Sequence, residues 1–102
     1  MSYGLLEKDV ATISQAIGRF PEILQAIIFG SRAKGNYKPG SDVDIAIKGT
    51  DVNHRTVSDL SFILNEELSL PYYFDVINYE KITEPKLTEH IDRVGKVFFT
   101  QN

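Results

Sequence analysis

"IIFGSRAKGNYKPGSDVDIAI", Ile27 to Ile47, is the stretch on which the reading of this chain turns. A run of β-branched residues ends at a Gly-Ser turn, a polar loop follows, and a second β-like run opens with aspartates at alternate positions. Aspartate is a poor strand former and is costly to bury unpaired, so Asp42 and Asp44 need something to compensate their charge. Strict alternation puts Asp42, Asp44 and Ala46 on one strand face and Val43, Ile45 and Ile47 on the other. One face is therefore apolar and the other acidic.

Upstream, Leu6, Val10, Ile13, Ile17 and Phe20 recur at helical spacing, and Gly18 to Pro21 supply the stop. "ILQAIIF" is a buried strand between Pro21 and Gly30. Ser31 to Gly35 forms a short helical turn, and "NYKPGS" has the Pro-Gly chemistry of a loop. Downstream, Val57, Leu60, Leu64 and Leu68 mark a second long helix, with Asp51 or Asn53 as its cap and Pro71 as its end. "YYFDVINY" is a third strand, with Tyr73, Asp75 and Ile77 on one face and Phe74 and Val76 on the other. Pro85 suits the first turn of a last helix bearing Leu87, Ile91 and Val94. The tail "GKVFFTQN" is compatible with a strand or with an irregular packed segment. This order predicts an α/β (α+β) fold, a small mixed sheet with helices packed on one face, in a single domain spanning residues 1–102.

Composition narrows the class. Hydrophobic residues make up 42% and charged residues 25% of 102 residues, which is ordinary globular usage and argues against disorder. No apolar run reaches membrane-spanning length and the N-terminus lacks a signal-peptide pattern. Cysteine is absent, excluding disulfides and thiolate metal sites. The expectation is a cytoplasmic protein with no membrane association. A net charge of −3 argues against autonomous nucleic-acid binding.

The acids carry the chemistry. If the second and third strands are neighbours in register, Asp42, Asp44 and Asp75 meet on one face, and like charges so close call for cations between them. Carboxylates suit Mg²⁺, which binds through one or two of them together with substrate phosphates and water. Gly30 lets the backbone approach a ligand, Ser31 offers a hydroxyl, and Arg32 and Lys34 are placed in sequence to neutralise a triphosphate. A nucleoside triphosphate bound with magnesium satisfies both halves. His54 and His90 have no partner at ligand spacing and are expected to face solvent. Tyr37, Tyr72 and Tyr73 are expected to pack at strand flanks, with Tyr37 exposed.

The run Gly30-Ser31-Arg32-Ala33-Lys34-Gly35, the pair in Ser41-Asp42-Val43-Asp44-Ile45, and Phe74-Asp75-Val76 further on together resemble the signature of the polymerase-beta-type nucleotidyltransferase superfamily, in its minimal nucleotidyltransferase branch. The resemblance implies a nucleotidyltransferase fold, triphosphate binding at Gly30 and Ser31, metal binding at Asp42 and Asp44, and Asp75 completing the metal site or assisting the acceptor. It implies two Mg²⁺ ions, ATP as substrate, and transfer of AMP to a hydroxyl. Relatives of this branch resemble antitoxins that bind and modify a helical HEPN-type toxin, so a partner protein of that kind is expected. The alternatives are a non-catalytic subunit that neutralises a partner by contact, and a small-molecule nucleotidyltransferase of the antibiotic-modifying type.

Overall fold

The computed structural model describes residues 2–101. The elements run α1 (Glu7–Gly18), β1 (Gln25–Phe29), α2 (Gly30–Lys34), β2 (Val43–Lys48), α3 (His54–Phe62), β3 (Phe74–Asn78), α4 (Pro85–Val94) and β4 (Lys96–Thr100). A π-helical turn, Ile63–Glu67, prolongs α3, and a 3₁₀ turn, Tyr79–Lys81, follows β3. Among the described residues, no helix is long and apolar enough to cross a membrane.

The strands form one sheet in the order β3-β2-β1-β4. The β1–β2 and β1–β4 pairs are antiparallel, whereas β2 and β3 are parallel with α3 as the crossover. The mixed sheet is as the sequence predicts, and β2 and β3 are the neighbours that a meeting of the acids requires. The tail forms β4, an edge strand whose register on β1 shifts between Ala26 and Ile27.

Each face buries a different set of side chains. Ile28, Val43, Ile45, Ile47, Phe74 and Val76 face Ile13, Ala16 and Ile17 of α1 and Leu60 of α3, and form the main core. The opposite face carries Ile27, Ala46 and Ile77, aligned across three strands, and α4 covers this row with Ile91 and Leu87. The expectation of helices on one face therefore holds for α1 and α3 and fails for α4. The reason is Ala46. Its small side chain, fully buried, makes an apolar floor on the same face as Asp44, and burying Ile91 on such a floor stabilises by roughly 1.5–3 kcal/mol.

Asn53 caps α3. Its side-chain oxygen accepts from the Thr56 N–H, and the Thr56 hydroxyl accepts in turn from the Asn53 N–H, a reciprocal arrangement contributing about 1 kcal/mol. Thr56 also donates to Glu22 Oε2 at 2.7 Å, which fastens the start of α3 to the approach to β1. The crossover is thereby fixed at its entrance, and β3 is delivered beside β2.

Candidate active site

The site lies where the sheet face changes from apolar to acidic. One row beyond Ile27, Ala46 and Ile77 stand Phe29, Asp44 and Asp75, opposed across β1, β2 and β3. Asp42 precedes β2 by one residue. Asp42 and Asp75 are exposed and Asp44 is half-buried. Burial, then repulsion from Asp75 and Asp42, raises the Asp44 carboxyl above its usual range, and His90 partly offsets this. The parallel register of β2 and β3 thus produces the crowding around Asp44.

Gly30 and Asp44 form one unit. Gly30 has φ +73°, a left-handed conformation that disfavours side chains. A Cβ there would collide with the Asp44 carboxylate. The glycine is required because the Asp44 side chain lies against the turn, so the Gly-Ser turn and this acid are in contact. Ser31 is half-buried. Its carbonyl accepts from the Gly35 and Asn36 N–H groups, while its hydroxyl makes no hydrogen bond among the described residues and is available to a ligand. Lys34 is exposed in the last turn of α2.

Arg32 is placed differently from its predicted role beside a triphosphate. It is only 3% exposed. Its Nε and Nη2 donate to the Ser41 carbonyl at 3.1 and 2.9 Å, and Nη1 donates to the Tyr3 carbonyl at 2.9 Å. The guanidinium also lies over the rings of Tyr37 and Tyr72, at 5.2 and 5.4 Å. Its donors are turned inward, so the fork clamps the loop carrying Asp42 to the N-terminal segment. Tyr37 lies at that clamp, 36% exposed.

Two side chains outside the motif bond to backbone groups at the site. Asn65, in the π-helical turn, accepts from the Phe74 N–H at 2.8 Å and donates to the Phe74 carbonyl at 2.9 Å. This satisfies the outward backbone groups of the edge strand next to Asp75. An asparagine near a helix end gives no sequence signal for such a bracket. His90 is the second. Against the expectation of solvent exposure it is half-buried, with Nε2 accepting from the Gly30 N–H at 3.3 Å and its ring edge-on to Phe29, centroids 6.1 Å apart. Sequence spacing missed it because its partners are sixty residues away and one is a backbone group. His54 is exposed, as expected.

Among the described residues, no three His, Cys, Asp or Glu side chains converge as a preformed metal cage. The donor set nevertheless fits a hard divalent cation that arrives with its substrate. All three candidates are carboxylates, two are opposed in register, and ionised Asp44 is penalised by its neighbours in a way a cation would relieve. A groove of about 630 Å³ lies further along the same face, lined by Ile77, Asn78 and Leu87 together with His54 at the start of α3. It sits one row beyond the acids on the β3 side, while the acids themselves open to the surface.

The model of the polymerase beta nucleotidyltransferase family matches residues 11–102, and the chain belongs to that family. Curated protein sequences give no match. Among solved structures, a toxin-antitoxin with AMP-PNP is similar over 96% of this chain and 76% of its own, with 20% identity and a TM-score of 0.71. A mutant of the toxin-antitoxin MntA-HpeT gives 17% identity and a TM-score of 0.68 over 96% of this chain and 75% of its own. A putative nucleotidyltransferase from Sulfolobus solfataricus gives 21% identity and 0.52 over 91% and 76%. At these identities the likeness is one of fold.

Proposed function

We propose that this chain transfers AMP from ATP to a hydroxyl group on a partner protein, releasing pyrophosphate, as the antitoxin-like member of a pair whose other member is a helical HEPN-type protein. The observation that carries the reading is the alignment of Asp44 with Asp75 in the parallel register, with the Asp44 carboxylate lying against Gly30. A turn with an available hydroxyl and an acid pair are thereby held side by side, as a metal-bound triphosphate requires. The likeness of the fold to that of a toxin-antitoxin with AMP-PNP supports both the nucleotide and the protein partner.

Asp42, Asp44 and Asp75 would hold Mg²⁺, two ions in this reading, which when bound supplies charge stabilisation to the reacting phosphate. The remaining work falls to the chain. Gly30 allows the phosphates to approach the backbone, the Ser31 hydroxyl donates to a phosphate oxygen, and Lys34 adds charge from the rim. The acceptor hydroxyl gives its proton to the Asp75 carboxylate as its oxygen attacks the α-phosphorus, and the bond from that phosphorus to the bridging oxygen breaks, with pyrophosphate leaving. In-line displacement puts the acceptor opposite the leaving pyrophosphate. With the leaving group on the Gly30–Ser31 side, the acceptor approaches from the side of Asp75. Asp42 and Asp75 stand exposed, so the partner would also supply cover from water.

The acceptor is tested by incubating the chain, its co-purified partner, ATP and Mg²⁺, and mapping the modified residue by mass spectrometry. AMP on a partner hydroxyl is the expected result. AMP on a free aminoglycoside, with no partner recovered from the native cell, would favour small-molecule transfer. A partner neutralised without any modification would favour a binding subunit.

The turn makes its own prediction. Gly30→Val is expected to abolish Mg-ATP binding, because it forces a β-branched side chain into the left-handed region and against Asp44. Ser31→Ala removes one donor and should weaken binding only about fivefold to tenfold. Titration calorimetry reads the order, and equal affinities for Gly30→Val and the parent would make the turn merely structural.

A further inference from the structure

We propose that His90 is a positioning residue for the phosphate-binding turn, acting as the fixed acceptor that orients the Gly30 peptide, so that α4 sets the geometry of a nucleotide site to which it contributes no acid. The inference rests on the nucleotidyl-transfer reading and adds to it a residue outside the motif.

Three observations converge on His90. Its Nε2 accepts from the Gly30 N–H at 3.3 Å, which joins α4 to the turn. Its ring meets Phe29 edge-on, at an interplanar angle of 79°, so the histidine grips both residues of the peptide that leaves β1. Its neighbour Ile91 is 2% exposed, in the cluster with Ile27, Phe29 and Ala46. The helix bearing the imidazole is therefore anchored on the same sheet face, one row from the acids. The tightness of that docking is visible at Gly95, where any Cβ would strike Ile27 and the Ile91 carbonyl.

The Gly30 peptide needs such a latch. At φ +73° glycine has freedom that other residues lack, and a rotation of this peptide would swing Ser31 away from the phosphates and release the Asp44 side chain packed against it. An acceptor on a rigid helix removes that freedom before the nucleotide arrives, the kind of support that a functional site needs from residues around it.

The test uses the full chain and its variants with Mg-AMP-PNP as the probe. His90→Phe keeps a ring against Phe29 and removes the acceptor, whereas His90→Gln restores an acceptor oxygen. Calorimetric affinity and the Gly30 amide resonance, with its hydrogen-exchange rate, are the readouts. His90→Phe should lose about tenfold in affinity, shift the Gly30 amide and speed its exchange. His90→Gln should recover most of both, while melting temperatures of the two variants stay close to one another. A His90→Phe protein with parental affinity and an unmoved Gly30 amide would overturn the inference and leave nucleotidyl transfer standing. Tighter nucleotide binding by His90→Phe would also overturn it, since the histidine would then be a stand-in that phosphate must displace. If the parent fails to bind the probe at any concentration, the nucleotidyl-transfer reading itself fails and takes the inference with it.

Discussion

An Asp44→Asn protein is expected to fold, to melt at a higher temperature than the parent near neutral pH, and to lose AMP transfer by about a hundredfold or more. The two effects have one cause. Asp44 is half-buried beside Asp75 and Asp42 and accepts no hydrogen bond among the described residues, so its ionised form is penalised and its carboxyl titrates above the ordinary value of 3.8. The folded protein therefore keeps this proton to higher pH than the unfolded chain does. The protonated carboxyl's contribution is fully present below the ordinary value and is lost as pH rises through the raised one. Asparagine removes the penalty without changing shape. The gain in stability should appear above that window and vanish in acid. Added Mg²⁺ should raise the melting temperature of the parent more than that of the variant. Thermal melts across pH and a transfer assay check this. A variant that melts lower at neutral pH, or transfers like the parent, would contradict it.

Replacing Arg32 by alanine should cost about 3 kcal/mol, a fall in Tm on the order of 10–20 °C in a domain of this size. The guanidinium is buried and makes three hydrogen bonds to two carbonyls between two tyrosine rings. Truncation strips the Ser41 and Tyr3 carbonyls of these donors and leaves a void beneath the loop that carries Asp42. Arg32→Lys keeps the charge but not the fork, and should still lose much of this stability. Its folded fraction should bind Mg-ATP with the parent's salt dependence, because the charge does not face the phosphates. Chemical denaturation and calorimetry at two salt concentrations measure both quantities. A stably folded Arg32→Lys protein with a weakened, less salt-sensitive nucleotide affinity would return the guanidinium to the phosphate site.

The parts of this molecule that were legible in the sequence are those whose cause is local. Alternation along Asp42 to Ile47 assigned the faces of β2, the β-branched run and Gly30 marked the end of β1, and the start of α3 was narrowed to Asp51 or Asn53, of which Asn53 is the cap. The meeting of Asp44 with Asp75 followed from one further step, the adjacency of β2 and β3. What stayed hidden depends on partners far away in the chain. Arg32 beside a Gly-Ser turn looks like a phosphate ligand, and only the packing of Tyr3, Tyr37 and Tyr72 around it turns it into a clamp. Ala46 gave no hint that it floors a second hydrophobic cluster, because alanine suits both a solvent face and a close helix contact. His90 and Asn65 bond to backbone groups, whose positions no side-chain pattern encodes.

The central claim, that this site moves a nucleoside monophosphate, is tested most directly with two samples of ATP, one labelled at the α-phosphorus and one at the γ-phosphorus, given to the chain and its partner with Mg²⁺. The expected result is partner-bound label from the α-labelled sample alone, pyrophosphate as the released product, and loss of both with Asp44→Asn. Label passing from the γ position, or no label passing from either while the parent binds Mg-ATP and its partner, would contradict it.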